Sequence, residues 1–137
     1  MTPKNMTFKM EKAKAFDDYF NDPRMSQLQL RFFAKVRRMV HTLLPDVRER
    51  VGYAMLGFYA PTSKNLKETL FFITPAENWA TLGGTQGLPE KSLLPWANLG
   101  VQTIGKGSLR VPYTIADPDL YALLETIITY NLECYQR

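Results

Sequence analysis

Apolar side chains recur at helical spacing in three segments of the chain. The first predicted helix, 9–21, ends before Pro23, because the residue preceding a proline is pushed out of the helical region. The second, 25–44, ends at Pro45, and its apolar positions repeat every three or four residues along one face. That face consists of Leu28, Phe32, Val36, Met39, Val40 and Leu43. The third is predicted over 117–131, with Asp117 as its N-cap and Pro118 at its first position.

Segments rich in aromatic and β-branched residues lie between the second and third helices. They predict strands over 48–60, 68–74, 78–83 and 108–113, with a short helix after Pro89. The gap between 68–74 and 78–83 is short enough for an antiparallel hairpin. The predicted fold class is therefore α+β. An antiparallel sheet of about five strands would pack against N-terminal helices and a C-terminal helix in a single domain, 1–137.

Composition narrows the class of protein. Hydrophobic residues make up 45% and charged residues 22% of the chain, which are the values of a folded globular domain rather than a disordered one. No apolar run is long enough for a membrane span, and the basic N-terminus is not followed by the apolar core of a secretory signal. The only cysteine, Cys134, cannot form an internal disulfide, and a frayed chain end is expected there. We therefore expect a cytoplasmic protein with no membrane partner.

The common catalytic and metal-binding motifs are missing from the sequence. One histidine, His41, and one cysteine cannot build a zinc site of the usual kind, and no phosphate-binding loop, dinucleotide fingerprint or nucleophile elbow is present. A helical histidine facing solvent is more often a surface residue than a catalytic one. The sequence identifies no cofactor and no metal site, and it favours a protein that is not an enzyme.

A basic stripe lies on the second predicted helix, opposite its apolar face. It comprises Arg24, Arg31, Lys35 and Arg38, with His41 beside them. The net charge of +4 permits an anionic partner. No aromatic residue alternates with these cations to stack on bases, so the stripe is expected to be a solvated face and nucleic acid is not expected as a partner.

The stretch "TIGKGSLRVPY", 103–113, carries the clearest candidate for binding. Glycines on both sides of Lys106 would let the backbone approach an anion, and Arg110 offers a planar guanidinium. The same residues would also form a glycine-flanked turn with surface cations, and composition leaves both interpretations open. Strand alternation places Leu109 and Val111 in the core and points Arg110 outward.

The segment from Lys106 to Pro112 resembles the signature of the YdhG-like family, a group of small bacterial domains of unknown function. The segment from Glu49 to Phe58 is similar to a second motif of that family, and the likeness extends over about 26–131. Ala54 and Leu56 replace a glycine and a proline of the family, which predicts a more regular strand there. The resemblance implies a frataxin-like fold, and some family members are described as iron chaperones.

Two hypotheses follow from the motif and from the resemblance. The first is a small binding module that takes an anionic small molecule or a protein partner through Lys106, Gly107, Arg110 and Tyr53. The alternative is an iron chaperone of the frataxin type, in which the metal would be held by Glu11, Asp17, Asp18 and Asp22. A homodimer through an exposed aromatic residue such as Trp96 is also open.

Overall fold

A computed structural model describes residues 18, 20–52, 55–63 and 68–135 of the chain. Most of the first predicted helix, with Glu11 and Asp17, lies outside this range, although Asp18 and Phe20 have helical backbone. The described residues contain three α-helices, α1 (Gln27–Leu43), α2 (Leu94–Ala97) and α3 (Asp117–Tyr135). A 3-10 turn, Glu90–Leu93, leads directly into α2. The strands are β1 (Arg48–Gly52), β2 (Met55–Tyr59), β3 (Thr69–Pro75), β4 (Trp79–Gly83), β5 (Gln102–Ile104) and β6 (Ser108–Pro112).

The strands form one antiparallel sheet in the order β1-β2-β3-β4-β6-β5. The predicted α+β class is confirmed, but the described residues form six strands rather than about five. The predicted strand 48–60 is in fact a hairpin, in which Gly52 pairs with Met55 and residues 53–54 form the connection. The prediction of one regular strand around Ala54 was therefore wrong. Apolar residues continue on both sides of the connection, so the pattern hides where the chain reverses.

Strand β5 was missed altogether because it has no apolar alternation. Its residues Gln102 and Thr103 are exposed and Ile104 is half-buried. It is held by pairing with β6, in the register Gln102 to Arg110 and Ile104 to Ser108. Such a short strand depends on tertiary pairing rather than on its own sequence.

Helices α1 and α3 pack together on one face of the sheet and close the core. Phe32, Val36 and Val40 of α1 are buried as predicted, whereas Leu28 is 52% exposed. The buried face of α1 instead includes Phe33 and the polar residue Gln29. The largest fully buried side chains of the core come from both layers and include Phe58, Phe71, Ile73, Leu82, Leu109, Leu120 and Leu123.

The start of α1 is fixed by a capping box, two residues later than predicted. The Ser26 side chain accepts from the Gln29 backbone N–H at 3.1 Å, and the Gln29 side chain accepts from the Ser26 N–H at 2.8 Å. The Gln29 amide also donates to the carbonyl of Ala76 at 3.0 Å, after strand β3. One buried polar side chain thus both begins the helix and ties it to the sheet.

Helix α3 begins at Asp117 and continues to Tyr135, beyond the predicted end at 131. Asp117 lies inside the first turn and pairs with Lys35 of α1, Nζ to Oδ1 at 2.7 Å. Near its other end, Asn131 donates to the carbonyls of Leu70 at 2.5 Å and of Gly84 at 2.8 Å. Cys134 therefore lies in an ordered last turn and is partly buried, not at a frayed end.

Trp96 is buried rather than exposed. It lies in α2, is 8% exposed, and its indole N–H donates to the Asp119 carbonyl at 2.8 Å. The sequence placed it in a loop because Pro95 precedes it, but proline is compatible with the first turn of a helix. This residue consequently gives no support to a self-interface.

In the described part of the chain, no helix combines the length and the apolar character that crossing a membrane requires.

Candidate functional site

The glycines of the motif shape the turn between β5 and β6. Gly105 has a φ of +59°, which places it in the left-handed region that favours glycine. The carbonyl of Gly107 accepts from the N–H groups of Gly84 at 3.0 Å and Thr85 at 3.2 Å. A Cβ on Gly107 would approach the Cβ of Gln86 to 3.2 Å. These contacts show that the two glycines serve the hairpin and its packing on the segment after β4.

A shallow cleft of about 230 Å³ lies beside this turn. Lys106 and Gly107 line it, and so does the carboxylate residue Glu90, whereas Arg110 does not. The charges of Lys106 and Glu90 oppose each other at the rim, which weakens any attraction for an anion. The cleft thus holds two of the predicted site residues but lacks the guanidinium that was expected beside them.

Arg110 lies in the middle of strand β6, two residues beyond Ser108, which lines the cleft. Leu109 and Val111 are both 0% exposed and point into the core, as predicted, and Arg110 points away from the helices. Lys106 lies in the turn and Arg110 lies four positions later in β6, so at most about 13 Å of chain separates them. The structure therefore divides the predicted residues between two places, the turn and the middle of a strand.

The Arg110 guanidinium lies over the Trp79 ring, with Cζ 4.2 Å from the ring centroid. Thr81 is the direct cross-strand partner of Arg110, and Trp79 is its diagonal neighbour on the same face. The stack is a close cation–π contact, which holds the plane of the guanidinium. The Nε atom of Arg110 is buried and has no hydrogen-bond partner in the residues the structure covers.

The face that carries Arg110 is the one opposite the helices, and we call it the open sheet face. Its positions on β4 and β6 are half-buried, as is Phe72 on β3, whereas Gly57 and Tyr59 on β2 and Thr74 on β3 are buried. Cross-strand pairing assigns to it the residues Arg48, Arg50, Gly57, Tyr59, Phe72, Thr74, Trp79, Thr81, Gly83, Ser108 and Arg110. None of these residues is acidic.

A second arginine–aromatic pair lies toward the β1 edge of the open sheet face. The Arg50 guanidinium is 5.7 Å from the centroid of the Tyr59 ring. Tyr59 is only 2% exposed, and its hydroxyl is buried without a hydrogen-bond partner in the described structure. A Cβ on Gly57 would lie 2.9 Å from Cε2 of Tyr59 and 3.2 Å from Cε1 of Phe72. Glycine at position 57 therefore makes room for the two rings.

On the helix side, the residues of the basic stripe have different surroundings. Arg31 and Arg38 are exposed, as expected of a solvated face. His41 contacts Glu49, Nε2 to Oε2 at 2.8 Å, and Arg37 donates to both oxygens of the same carboxylate at 2.7 Å. Burial raises the pKa of Glu49, but the hydrogen bonds from Arg37 and His41 outweigh it and leave that pKa below its ordinary value. This cluster joins α1 to β1.

The remaining predicted residues lie partly outside the described structure. Tyr53 lies in the β1–β2 connection, outside the described residues. Glu11 and Asp17 lie outside them as well, in the N-terminal segment. Asp22 is bound by Arg24, which donates to its two oxygens at 3.1 and 2.9 Å, and this hydrogen bonding lowers the Asp22 pKa. Within the described ranges, no group of three or more histidine, cysteine or acidic side chains could hold a metal ion.

Sequence reasoning missed the aromatic partners of the arginines on the open sheet face. Alternation gave the direction of Arg110, but only the register of β4 against β6 brings Trp79 beside it. Arg50 and Tyr59 are likewise brought together by the β1–β2 hairpin, which the sequence had shown as one strand. The sequence did contain a signal for these partners, namely aromatic residues at alternate positions of the predicted strands.

Comparisons of this chain with protein-family models, with curated proteins and with solved structures find no match. The likeness to the YdhG-like family consequently rests on the motif residues alone. The functional argument is carried by the geometry of the open sheet face.

Proposed function

We propose that this chain is a non-enzymatic binding protein that takes an anionic group at Arg110, on the open sheet face. The buried Nε of Arg110, which has no acceptor in the described structure, is the observation that carries the proposal. A buried donor of a charged group is costly to leave unpaired, and proteins usually satisfy it with a side chain, water or a ligand. An anion bound at the accessible part of this half-buried side chain would supply the missing acceptor once the guanidinium shifts to expose Nε.

The chemistry fits a carboxylate or a phosphate group. Either can accept side by side from Nε and a terminal nitrogen of a guanidinium, which gives two charge-assisted hydrogen bonds. The Trp79 ring holds the guanidinium of Arg110 in one plane, so little side-chain freedom is left to lose on binding. The described residues of the surrounding face include no carboxylate that would compete for this guanidinium.

Lys106 and Gly107 remain part of the proposal in a lesser role. Lys106 is exposed and has no ion-pair partner among the described side chains. Lys106 lies in the turn before β6, outside the strand that carries Arg110, and solvent and salt screen the charge of its exposed side chain. Lys106 therefore adds weak attraction, and Gly107 supports the turn. Tyr53 stays a predicted contact.

The proposal also includes the likeness to the YdhG-like family and a cytoplasmic location. A helix before and a helix after the strands in chain order are consistent with a frataxin-like arrangement, and a lone cysteine is consistent with a reducing cytoplasm. The alternative role in iron handling stays a prediction. A ferrous ion at Asp22 would have to displace the guanidinium of Arg24, which holds both carboxylate oxygens.

The proposal is tested by a nuclear magnetic resonance titration with inorganic phosphate and with citrate. We expect saturable shifts of the Arg110 Nε–H and Trp79 indole N–H signals, because both groups lie at the site. Arg110→Gln should weaken binding at least about tenfold, since charge-assisted hydrogen bonds are lost. Arg38→Gln is the matched control, as Arg38 is exposed on α1. Equal effects of the two variants, or no shift of the Arg110 signal, would refute the proposal.

A further inference from the structure

The open sheet face carries cations near both of its ends. Arg48 and Arg50 lie on β1, and Arg110 lies on β6, four strand positions away in the sheet order. At about 4.8 Å per strand, the two ends are about 19 Å apart. Between them a ligand could contact the half-buried Phe72, Trp79 and Thr81, whereas Gly57, Tyr59 and Thr74 are buried. None of the paired residues of the described face is acidic. One small anion could reach only one end.

We infer that the open sheet face binds an extended acidic segment of a protein partner, which crosses the strands from Arg110 to Arg50. The inference rests on the proposed function, because Arg110 is the anchor at one end. An extended chain advances about 3.3 Å per residue, so two acidic side chains roughly six residues apart would reach the two arginines. The charge of the face is complementary to such a segment and repels a basic one.

The composition of the face is that of a protein interface. Tryptophan and arginine are among the residues that contribute most to protein–protein binding, and Trp79, Arg50 and Arg110 lie here, with the buried Tyr59 beneath Arg50. The half-buried Thr81, directly across from Arg110 on β4, offers a hydroxyl with which a crossing backbone could form a hydrogen bond. The middle of the segment would therefore be held by polar and aromatic contacts between the two ion pairs.

Single-stranded nucleic acid fits this face less well than an acidic peptide. Bases stack on aromatic rings with an accessible face. One face of the Trp79 ring already carries Arg110, and Tyr59 is only 2% exposed beneath Arg50. The arginines are thus presented toward the ligand while the rings support them from behind, which suits carboxylates better than bases.

The test uses two seven-residue peptides of identical composition, with serine and threonine around two glutamates. In one peptide the glutamates occupy the first and last positions, and in the other they are adjacent at the centre. A seven-nucleotide oligothymidylate is the third probe, and binding is followed by nuclear magnetic resonance up to millimolar concentrations. We expect the end-spaced peptide to bind at least about fivefold more tightly than the clustered one, because only it reaches both arginines.

The variants Arg50→Gln and Arg110→Gln should each remove most of that spacing preference, whereas Arg38→Gln should leave it unchanged. Thermal unfolding of each variant checks that the fold is retained. Equal binding of the two peptides, no peptide binding, or tighter binding of the oligothymidylate would overturn the inference. If phosphate still shifts the Arg110 signals in any of those cases, the proposed function stands and only the peptide inference fails. If the Arg110 signals respond to no probe, both fail.

Discussion

Replacing Glu49 by glutamine should weaken the junction between α1 and β1. The Glu49 side chain is 17% exposed and receives two hydrogen bonds from Arg37 at 2.7 Å, with His41 a further 2.8 Å contact. Breaking a fully buried pair costs about 3–5 kcal/mol and an exposed pair about 0.2–1 kcal/mol. Arg37 and His41 are 37% and 41% exposed, so water compensates part of the loss. We expect a loss of about 2 kcal/mol, or about 8 °C in melting temperature.

The assay is chemical unfolding of wild type and Glu49→Gln between pH 3 and pH 7, with the exposed Glu125→Gln as the charge-matched control. The pKa of Glu49 is lowered in the folded state, so its contribution is complete above the unfolded value of about 4.3 and is lost as the pH falls through the folded pKa. The difference between the proteins should therefore be constant from pH 7 to about 5 and shrink below about 4.3. An undiminished difference at pH 3 would refute the role of the ionised carboxylate.

A double-mutant cycle separates the ion pair from the other contacts of Arg37. The Arg37 guanidinium also lies 5.7 Å from the centroid of the Phe20 ring, so an Arg37 variant alone would overstate the pair. The coupling energy between Arg37→Gln and Glu49→Gln should account for about 1 kcal/mol or more of the loss. A coupling energy near zero would show that the two side chains act independently.

Two further substitutions test buried hydrogen bonds between segments that are distant in the sequence. Tyr113→Phe removes a buried hydroxyl that donates to the Ala76 carbonyl at 2.6 Å, and should cost about 1–2 kcal/mol in unfolding free energy. Burial raises the pKa of Tyr113 to about 12, so wild type, but not Tyr113→Phe, should lose this stabilisation as the pH rises from about 10 to 12. Unfolding free energies of the two proteins that change in parallel over this pH range would contradict the prediction. Asn131→Ala leaves the carbonyls of Leu70 and Gly84 without their amide donor and should lower the unfolding free energy by about 2–3 kcal/mol. Urea unfolding measures this change, and a loss below about 0.5 kcal/mol would argue against these hydrogen bonds.

The sequence predicted best what depends on local periodicity. The burial of Leu109 and Val111 and the outward direction of Arg110 follow from the alternation of a strand, and the structure confirms them. Most of the buried faces of α1 and α3 follows from helical spacing as well, but in α1 Leu28 points to solvent, and Gln29 and Phe33 are buried without having been predicted. These features need no knowledge of what the element packs against.

Features that depend on pairing between distant segments escaped prediction. The contact between Arg110 and Trp79 exists only because β6 pairs with β4 rather than with β5 alone. The register of a strand fixes which side chains meet, and the sequence does not state it. The turn between Gly52 and Met55 was hidden because apolar residues continue through it, so Arg50 could not be placed on the open sheet face.

The two outer strands of the described sheet limit how copies of the protein could join edge to edge. Strand β5 has only three residues, and β1 begins with Arg48, Glu49 and Arg50 in succession. If two copies of β1 paired antiparallel around Glu49, arginine would face arginine and glutamate would face glutamate at every charged position. Like charges directly opposite each other destabilise a sheet, and short or charged outer strands hinder its extension. The charge order of β1 thus works against fusion of two sheets into one, and a dimer would have to form through other surfaces.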